Sequence, residues 1–207
     1  MSGYGETHVS YNNGLSPARL VVNLTLRRAY APSAPWVFDK VLHDRLDNAP
    51  AAAFYKARAI VMVRHPAPAI RSICALAART GMRDVETPED AARYYLARTR
   101  TLSKHWQSFP DANRFGLSAE ALLADPAEMI DRIGDWLNVA PKLTNTYVSH
   151  VASQRGGGGD PTRSAGLTRI EALPPQPEPG LPQGLKPDLA NACVTAYHDL
   201  LALFDRD

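Results

Sequence analysis

The run Ala59-Ile60-Val61-Met62-Val63 contains no polar residue and is followed at once by Arg64-His65-Pro66. A short continuous apolar run suits a strand buried on both faces, the kind that parallel sheets contain. Beyond it, Ile70, Ile73, Cys74 and Ala77 share one face at helical spacing, with Gly81 as the stop. Pro66 and Pro68 fall where a first helical turn tolerates proline. Strand, tight turn and helix make half of a βαβ unit, so an α/β protein is expected.

A second helix is predicted after Thr87-Pro88-Glu89-Asp90, with Thr87 as cap, proline at the first position and Asp90 three residues on. Its face reads Ala92, Tyr95, Leu96, Thr99, Leu102 and Trp106. Arg114-Phe115-Gly116-Leu117 is a short strand candidate. Asp125-Pro126-Ala127-Glu128 marks another helix start, since cap and Glu128 can satisfy each other's free backbone donors. Met129, Ile130, Ile133, Trp136 and Leu137 continue it as an apolar stripe. A last helix, from about Pro187 to Phe204, is expected to bury Leu189, Cys193, Ala196, Tyr197, Leu200 and Phe204. Residues 155–187 carry Gly156 to Gly159 and then Pro174, Pro175, Pro177, Pro179, Pro182 and Pro187. That composition predicts a mobile loop or an extended surface strap. Nearer the N terminus, Leu20-Val21-Val22-Asn23-Leu24 reads as a strand or a helix start. Trp36 to Leu42 reads as a buried strand ending near Lys40 to His43.

Length and charge narrow the function. The 207 residues suit a single domain spanning the chain. With 23 Lys+Arg against 21 Asp+Glu, and no basic run longer than Arg27-Arg28, charge alone does not mark a nucleic-acid binder. Arg outnumbers Lys by 18 to 5, and its planar fork suits phosphate, although coding bias alone also yields an Ala-, Pro- and Arg-rich chain. Cys74 and Cys193 both fall in apolar helical patterns and read as buried thiols of a cytosolic protein. No stretch approaches the ~18 apolar residues of a membrane span, and the first twenty residues lack a signal peptide's apolar centre. A soluble, cytoplasmic protein is expected. The histidines show no pair at helical ligand spacing and neither cysteine has a near neighbour, so no metal site is expected. There is no glycine-flanked Ser elbow, no dinucleotide fingerprint and no Walker loop.

The turn at Arg64 remains. In open α/β sheets, ligands bind outside the carboxyl ends of strands, where helix N-termini point free N–H groups. Ser72 lies eight residues beyond Arg64, in the second turn of the helix and off its apolar face. Helical side chains lean toward the N-terminus, so Arg64 and the Ser72 hydroxyl can converge on one phosphate at the helix mouth. The alternative is an Arg64 paired with an acid and a solvated Ser72.

Ala59 to Pro66, with Ser72 eight positions after Arg64, resembles the 3′-phosphate-binding signature of bacterial-type sulfotransferases that use 3′-phosphoadenosine 5′-phosphosulfate (PAPS). In that family Asp or Asn usually stands where His65 is. Leu117 to Pro126 is similar to the family's Tyr-Glu-Asp-Leu stretch running into an Asp-Pro helix start. Asp160 to Gly166 looks like a form of its late Arg-x-Gly segment, which also grips the 3′-phosphate, and Trp36 to His43 resembles the segment after the second core strand. The resemblance covers roughly residues 36–170.

The resemblance implies a three-layer α/β/α, P-loop-like fold with a central, mainly parallel sheet. It implies transfer of a sulfuryl group from PAPS to an acceptor hydroxyl or amine on a small molecule, glycan or lipid, with no metal and no nucleic-acid partner. The cofactor-binding residues would be Arg64, Ser72 and Arg163. An attacking hydroxyl must lose its proton to a base, a role assigned to His43, with Lys40 stabilising charge on the leaving phosphate oxygen and His8 or Glu6 as rival bases. The Gly-, Ser- and Thr-rich loop that cradles the 5′-phosphosulfate is not found, since Gly3-Tyr4-Gly5-Glu6-Thr7-His8 has no strand before it and no Lys or Arg inside it. The chain is therefore expected to be truncated at its N terminus. The alternative to an enzyme is a truncated, catalytically inactive nucleotide-binding or interaction module of the same fold. A P-loop kinase relative is opposed by the missing Walker Lys.

Overall fold

The apolar run forms strand β1 (Ala59–Val63) in a computed structural model that describes residues 41, 47, 49–50, 52–80, 84–146, 167–174 and 180–205. Strand β2 (Arg114–Ser118) pairs with it in parallel, in a register that runs from Ala59 opposite Arg114 to Val63 opposite Ser118. Parallel strands cannot be joined by a hairpin, and the chain between them runs through α1 (Pro66–Thr80) and α2 (Pro88–Ser108). After β2 come α3 (Ala119–Ala124), α4 (Pro126–Leu137) and α5 (Pro187–Phe204). The chain divides into two compact units, Met1–Phe54 with Thr146–Ile170, and Tyr55–Asn145 with Glu171–Asp207. All the elements named here belong to the second. The elements expected at 20–24 and 36–42 lie outside the described residues, as do Lys40, His43 and Arg163.

Side chains alternate along a strand, so Val61, Val63 and Gly116 share one face of the pair, and Phe115 and Leu117 share the other. On the first face Val61, Val63, Trp106, Tyr197 and Leu200 form a buried cluster with α2 and α5, edged by Leu102, Leu201, Leu203 and Phe204. On the second, the Phe115 ring tilts against Trp136 of α4 with centroids 5.5 Å apart. Helices thus flank the parallel pair in α/β fashion, but on the second face α4 meets β2 while Met62 of β1 is 48% exposed, so β1 is buried on one face and not on both as its apolar run predicts. A second cluster joins α1, α2 and α5 through Ile70, Ala77, Val85, Ala91, Ala92, Tyr95 and Cys193, with Ile73, Cys74 and Leu96 packed against it. The predicted apolar faces of these helices are thus the ones they bury. Cys193 is fully buried, and burial pushes its thiol pKa up; Cys74 is half-buried, and both are free.

The helix starts form largely as their sequence signals predict. The Thr87 hydroxyl accepts from the Asp90 N–H at 3.2 Å, and the Asp90 carboxylate accepts from the Thr87 N–H at 3.0 Å, a reciprocal cap. At α4 only half of the expected exchange forms. Asp125 Oδ1 accepts from the Glu128 N–H at 3.0 Å, but the Asp125 N–H is taken by the Ala121 carbonyl at 3.3 Å. The short helix α3, unanticipated from the sequence, ends there and supplies that acceptor.

The described parts of the Gly/Pro-rich segment contain no helix or strand before α5. Leu181 and Leu185 pack against the second cluster, the Arg71 guanidinium donates to the Gly180 carbonyl at 2.9 Å, and the Leu173 N–H donates to Leu123 at 2.8 Å.

Gly116 is a close-approach glycine. A Cβ at that position would lie 2.2 Å from Cγ of the Phe204 ring, which itself packs on Trp106 with centroids 4.6 Å apart. Gly116→Ala forces that ring off Trp106 and is expected to destabilise the fold by about 1–3 kcal/mol, the usual range for overpacking. Urea unfolding reads this directly, and an unchanged midpoint would contradict the packing described.

Candidate functional site

In-register parallel pairing brings the carboxyl ends of β1 and β2 to one edge, with Val63 opposite Ser118. Two residues, Arg64 and His65, separate β1 from α1, and α3 starts directly after Ser118, whose buried hydroxyl accepts from the Ala121 N–H at 3.0 Å. Three residues contributed by three other stretches then meet at the Arg64-His65 turn: Tyr95 from α2, Glu120 from α3 and Tyr197 from α5.

A helix begins with backbone N–H groups that have no partner inside it, and these make its mouth an anion site. At α1 they are already used. Pro66 and Pro68 have no N–H. The Ala67 N–H donates to His65 Nδ1 at 3.3 Å, and the Ala69 N–H donates to the His65 carbonyl at 3.2 Å. The N–H of His65 itself donates to Glu120 Oε1 at 3.1 Å. The expectation of free N–H groups at this mouth is therefore corrected. Any anion held here depends on side chains and on the positive end of the helix dipole.

The same contacts account for His65. Asp and Asn favour the position before a helix because a side-chain oxygen accepts from an early N–H. The Nδ1 of His65 does so here, which requires that nitrogen to be unprotonated. The ring is 8% exposed and meets Tyr197 edge-on, with centroids 5.4 Å apart. Histidine thus fills the capping place of the shorter residue.

The peptide bond joining Arg64 to His65 is held at both ends. The Tyr95 hydroxyl donates to the Arg64 carbonyl at 2.8 Å, while Glu120 accepts from the His65 N–H. The other oxygen of Glu120 accepts from the Tyr197 hydroxyl at 3.2 Å. Burial pushes the Tyr95 phenol pKa well above its ordinary value, so the proton it donates stays in place at neutral pH.

Arg64 and Ser72 are both exposed, and neither side chain has a hydrogen-bond or ion-pair partner among the described residues. The alternative of an acid partner for Arg64 therefore finds none there. Tyr95 and Trp106 are committed to the core, at 6% and 2% exposure. Lys40, His43, Arg163 and the rival bases His8 and Glu6 lie outside the described residues. Sequence reasoning missed the roles of Tyr95, Glu120 and Tyr197. Periodicity marks Tyr95 and Tyr197 as core positions without showing where their hydroxyls reach. The one signal for Glu120 is its place in the stretch similar to Tyr-Glu-Asp-Leu.

Among the described residues no group of three or more His, Cys, Asp or Glu side chains is placed to hold a metal ion, and no helix is long and apolar enough to cross a membrane. A family model described as "Sulfotransferase family" matches residues 18–142, a span that contains β1, Arg64, Ser72, β2 and Glu120. No curated protein and no solved structure matches the chain.

The capping role of His65 is tested by substitution. His65→Ala removes the acceptor for Ala67 and is expected to cost about 1–2 kcal/mol, as lost caps do. His65→Asn restores an acceptor and should recover part of that loss in thermal melts. Equal destabilisation by Ala and Asn would contradict the cap.

Proposed function

The chain belongs to the sulfotransferase family, and on that premise we propose that it moves a sulfuryl group from PAPS to an acceptor hydroxyl or amine, with Arg64 and Ser72 holding the donor's 3′-phosphate. The observation that carries this reading is the exposed guanidinium of Arg64, without a partner among the described residues, at the carboxyl end of β1. An Arg fork matches phosphate in shape and charge, and among the described residues no carboxylate is paired to Arg64. With the first-turn N–H groups spent on His65 and Glu120, the Arg64 side chain is the main donor at this mouth, assisted by the Ser72 hydroxyl.

Family resemblance adds three further roles: Arg163 on the same phosphate, Lys40 at the leaving phosphate oxygen, and His43 as the base. In the reaction, the acceptor oxygen or nitrogen bonds to sulfur as the bond from sulfur to the 5′-phosphate oxygen breaks. 3′-Phosphoadenosine 5′-phosphate leaves, and His43 takes the acceptor's proton. Little covalent chemistry falls to the protein, so rate comes from positioning and charge stabilisation, as in phosphoryl transfer. The acceptors fall in the class of small molecules, glycans and lipids.

Calorimetric titration tests the donor site. The chain should bind 3′-phosphoadenosine 5′-phosphate more tightly than adenosine 5′-phosphate. Charge-assisted bonds are worth about 1.5–3 kcal/mol each, so Arg64→Ala should weaken binding of the bisphosphate at least ~10-fold and leave the monophosphate little changed. Equal affinity of the parent for the two nucleotides contradicts the assignment. Preferential binding without sulfuryl transfer would favour a nucleotide-binding module over an enzyme.

A further inference from the structure

Resting on the reading of Arg64 as the ligand of the 3′-phosphate, we propose that Tyr95 and Glu120 are positioning residues for it, clamping the peptide plane from which the Arg64 side chain departs, with Tyr197 holding Glu120 in place. Beyond Val63 the β-ladder no longer constrains the backbone, because β1 ends there. A peptide plane held at one end still pivots about that bond. Here the carbonyl end is held by Tyr95 at 2.8 Å and the N–H end by Glu120 at 3.1 Å, so the plane has no remaining pivot. Rotation of this plane changes the backbone dihedrals on both sides of it and so redirects the Arg64 side chain.

The clamp draws on three helices. Tyr95 comes from the buried face of α2, Glu120 from the first turn of α3, and Tyr197, 6% exposed, from α5. The two tyrosine rings belong to the two buried clusters, so their hydroxyls take their positions from the packed core. An exposed Arg has many rotamers, and fixing its root leaves fewer of them to be lost when phosphate binds. Glu120 also carries negative charge at the positive end of the α1 dipole, which would stabilise the fold without aiming Arg64. The two roles differ in what they do to nucleotide preference. A purely stabilising contact affects bisphosphate and monophosphate binding alike, whereas a positioning contact affects the 3′-phosphate alone and only while Arg64 is present.

The experiment measures the ratio of affinities for 3′-phosphoadenosine 5′-phosphate and adenosine 5′-phosphate in the full chain. The variants are Tyr95→Phe, Glu120→Ala and Glu120→Gln, each with and without Arg64→Ala, with thermal melts alongside. Tyr95→Phe and Glu120→Ala should each lower the ratio about three- to tenfold, the size of one lost hydrogen bond. Glu120→Gln keeps an oxygen for the His65 N–H and should stay within about twofold of the parent. In the Arg64→Ala background none of them should move the ratio. Unchanged ratios in Tyr95→Phe and Glu120→Ala, or equal falls with and without Arg64, overturn the inference while the donor-site reading stands. A parent with no preference for the 3′-phosphate overturns both. If Glu120→Ala fails to fold, Tyr95→Phe and Tyr197→Phe decide by the same criteria, since each removes a single hydroxyl and keeps its ring.

Discussion

The peptide bond between Arg64 and His65 is the point where the hydrogen bonds of the strand end and those of the helix begin, and side chains rather than backbone hold it there. Its carbonyl rests on Tyr95 and its N–H on Glu120, with Tyr197 behind Glu120. The rest of the described fold brings these groups together. Parallel, in-register pairing places α3 at the same edge as α1, which carries Glu120 to the turn. Packing of α2 and α5 over the sheet and α1 delivers the two tyrosines from the core side. A hydroxyl donating from a packed ring costs little further ordering, because burial of the ring has already fixed it.

This arrangement changes what the helix mouth can offer. A phosphate at an ordinary helix N-terminus is cradled by backbone N–H groups. At α1, two prolines remove donors, His65 occupies the Ala67 N–H, and Glu120 occupies the N–H of His65. On the proposed reading, recognition of the phosphate then falls to an exposed guanidinium and a hydroxyl. Such a site needs the guanidinium to be aimed, which gives the clamp beneath Arg64 its importance. It also makes binding sensitive to salt, since exposed charges are screened over about 8–10 Å at ordinary ionic strength.

Much of the fold was legible because its signals are local. A five-residue apolar run, apolar positions at helical spacing in α1, α2 and α5, and the Thr87–Asp90 cap each declare themselves within one element. Helix α3 did not, because its six residues bury no stripe of their own and its cap, Ser118, is also the last residue of β2. The need for glycine at 116 was equally hidden, since it is set by the Phe204 ring from a distant part of the chain. At the site, the spacing of Arg64 and Ser72 could be read, and the family resemblance supplied a ligand for them. The use of the N–H groups could be read only halfway. Pro66 and Pro68 are visible in the sequence, but the acceptors for the remaining donors are a His ring turned onto Ala67 and a Glu reaching across from another strand's end. Contacts of that kind are made by tertiary packing and leave no periodic trace.

The most direct measurement is a crystal structure of the chain with 3′-phosphoadenosine 5′-phosphate. The 3′-phosphate is expected within hydrogen-bond distance of the Arg64 guanidinium and the Ser72 hydroxyl, with the N–H groups of His65 and Ala67 still on Glu120 and Nδ1 of His65. A 3′-phosphate bound elsewhere, or one seated on the backbone N–H groups of α1 with Glu120 and the His65 ring displaced, would contradict a side-chain site aimed from below.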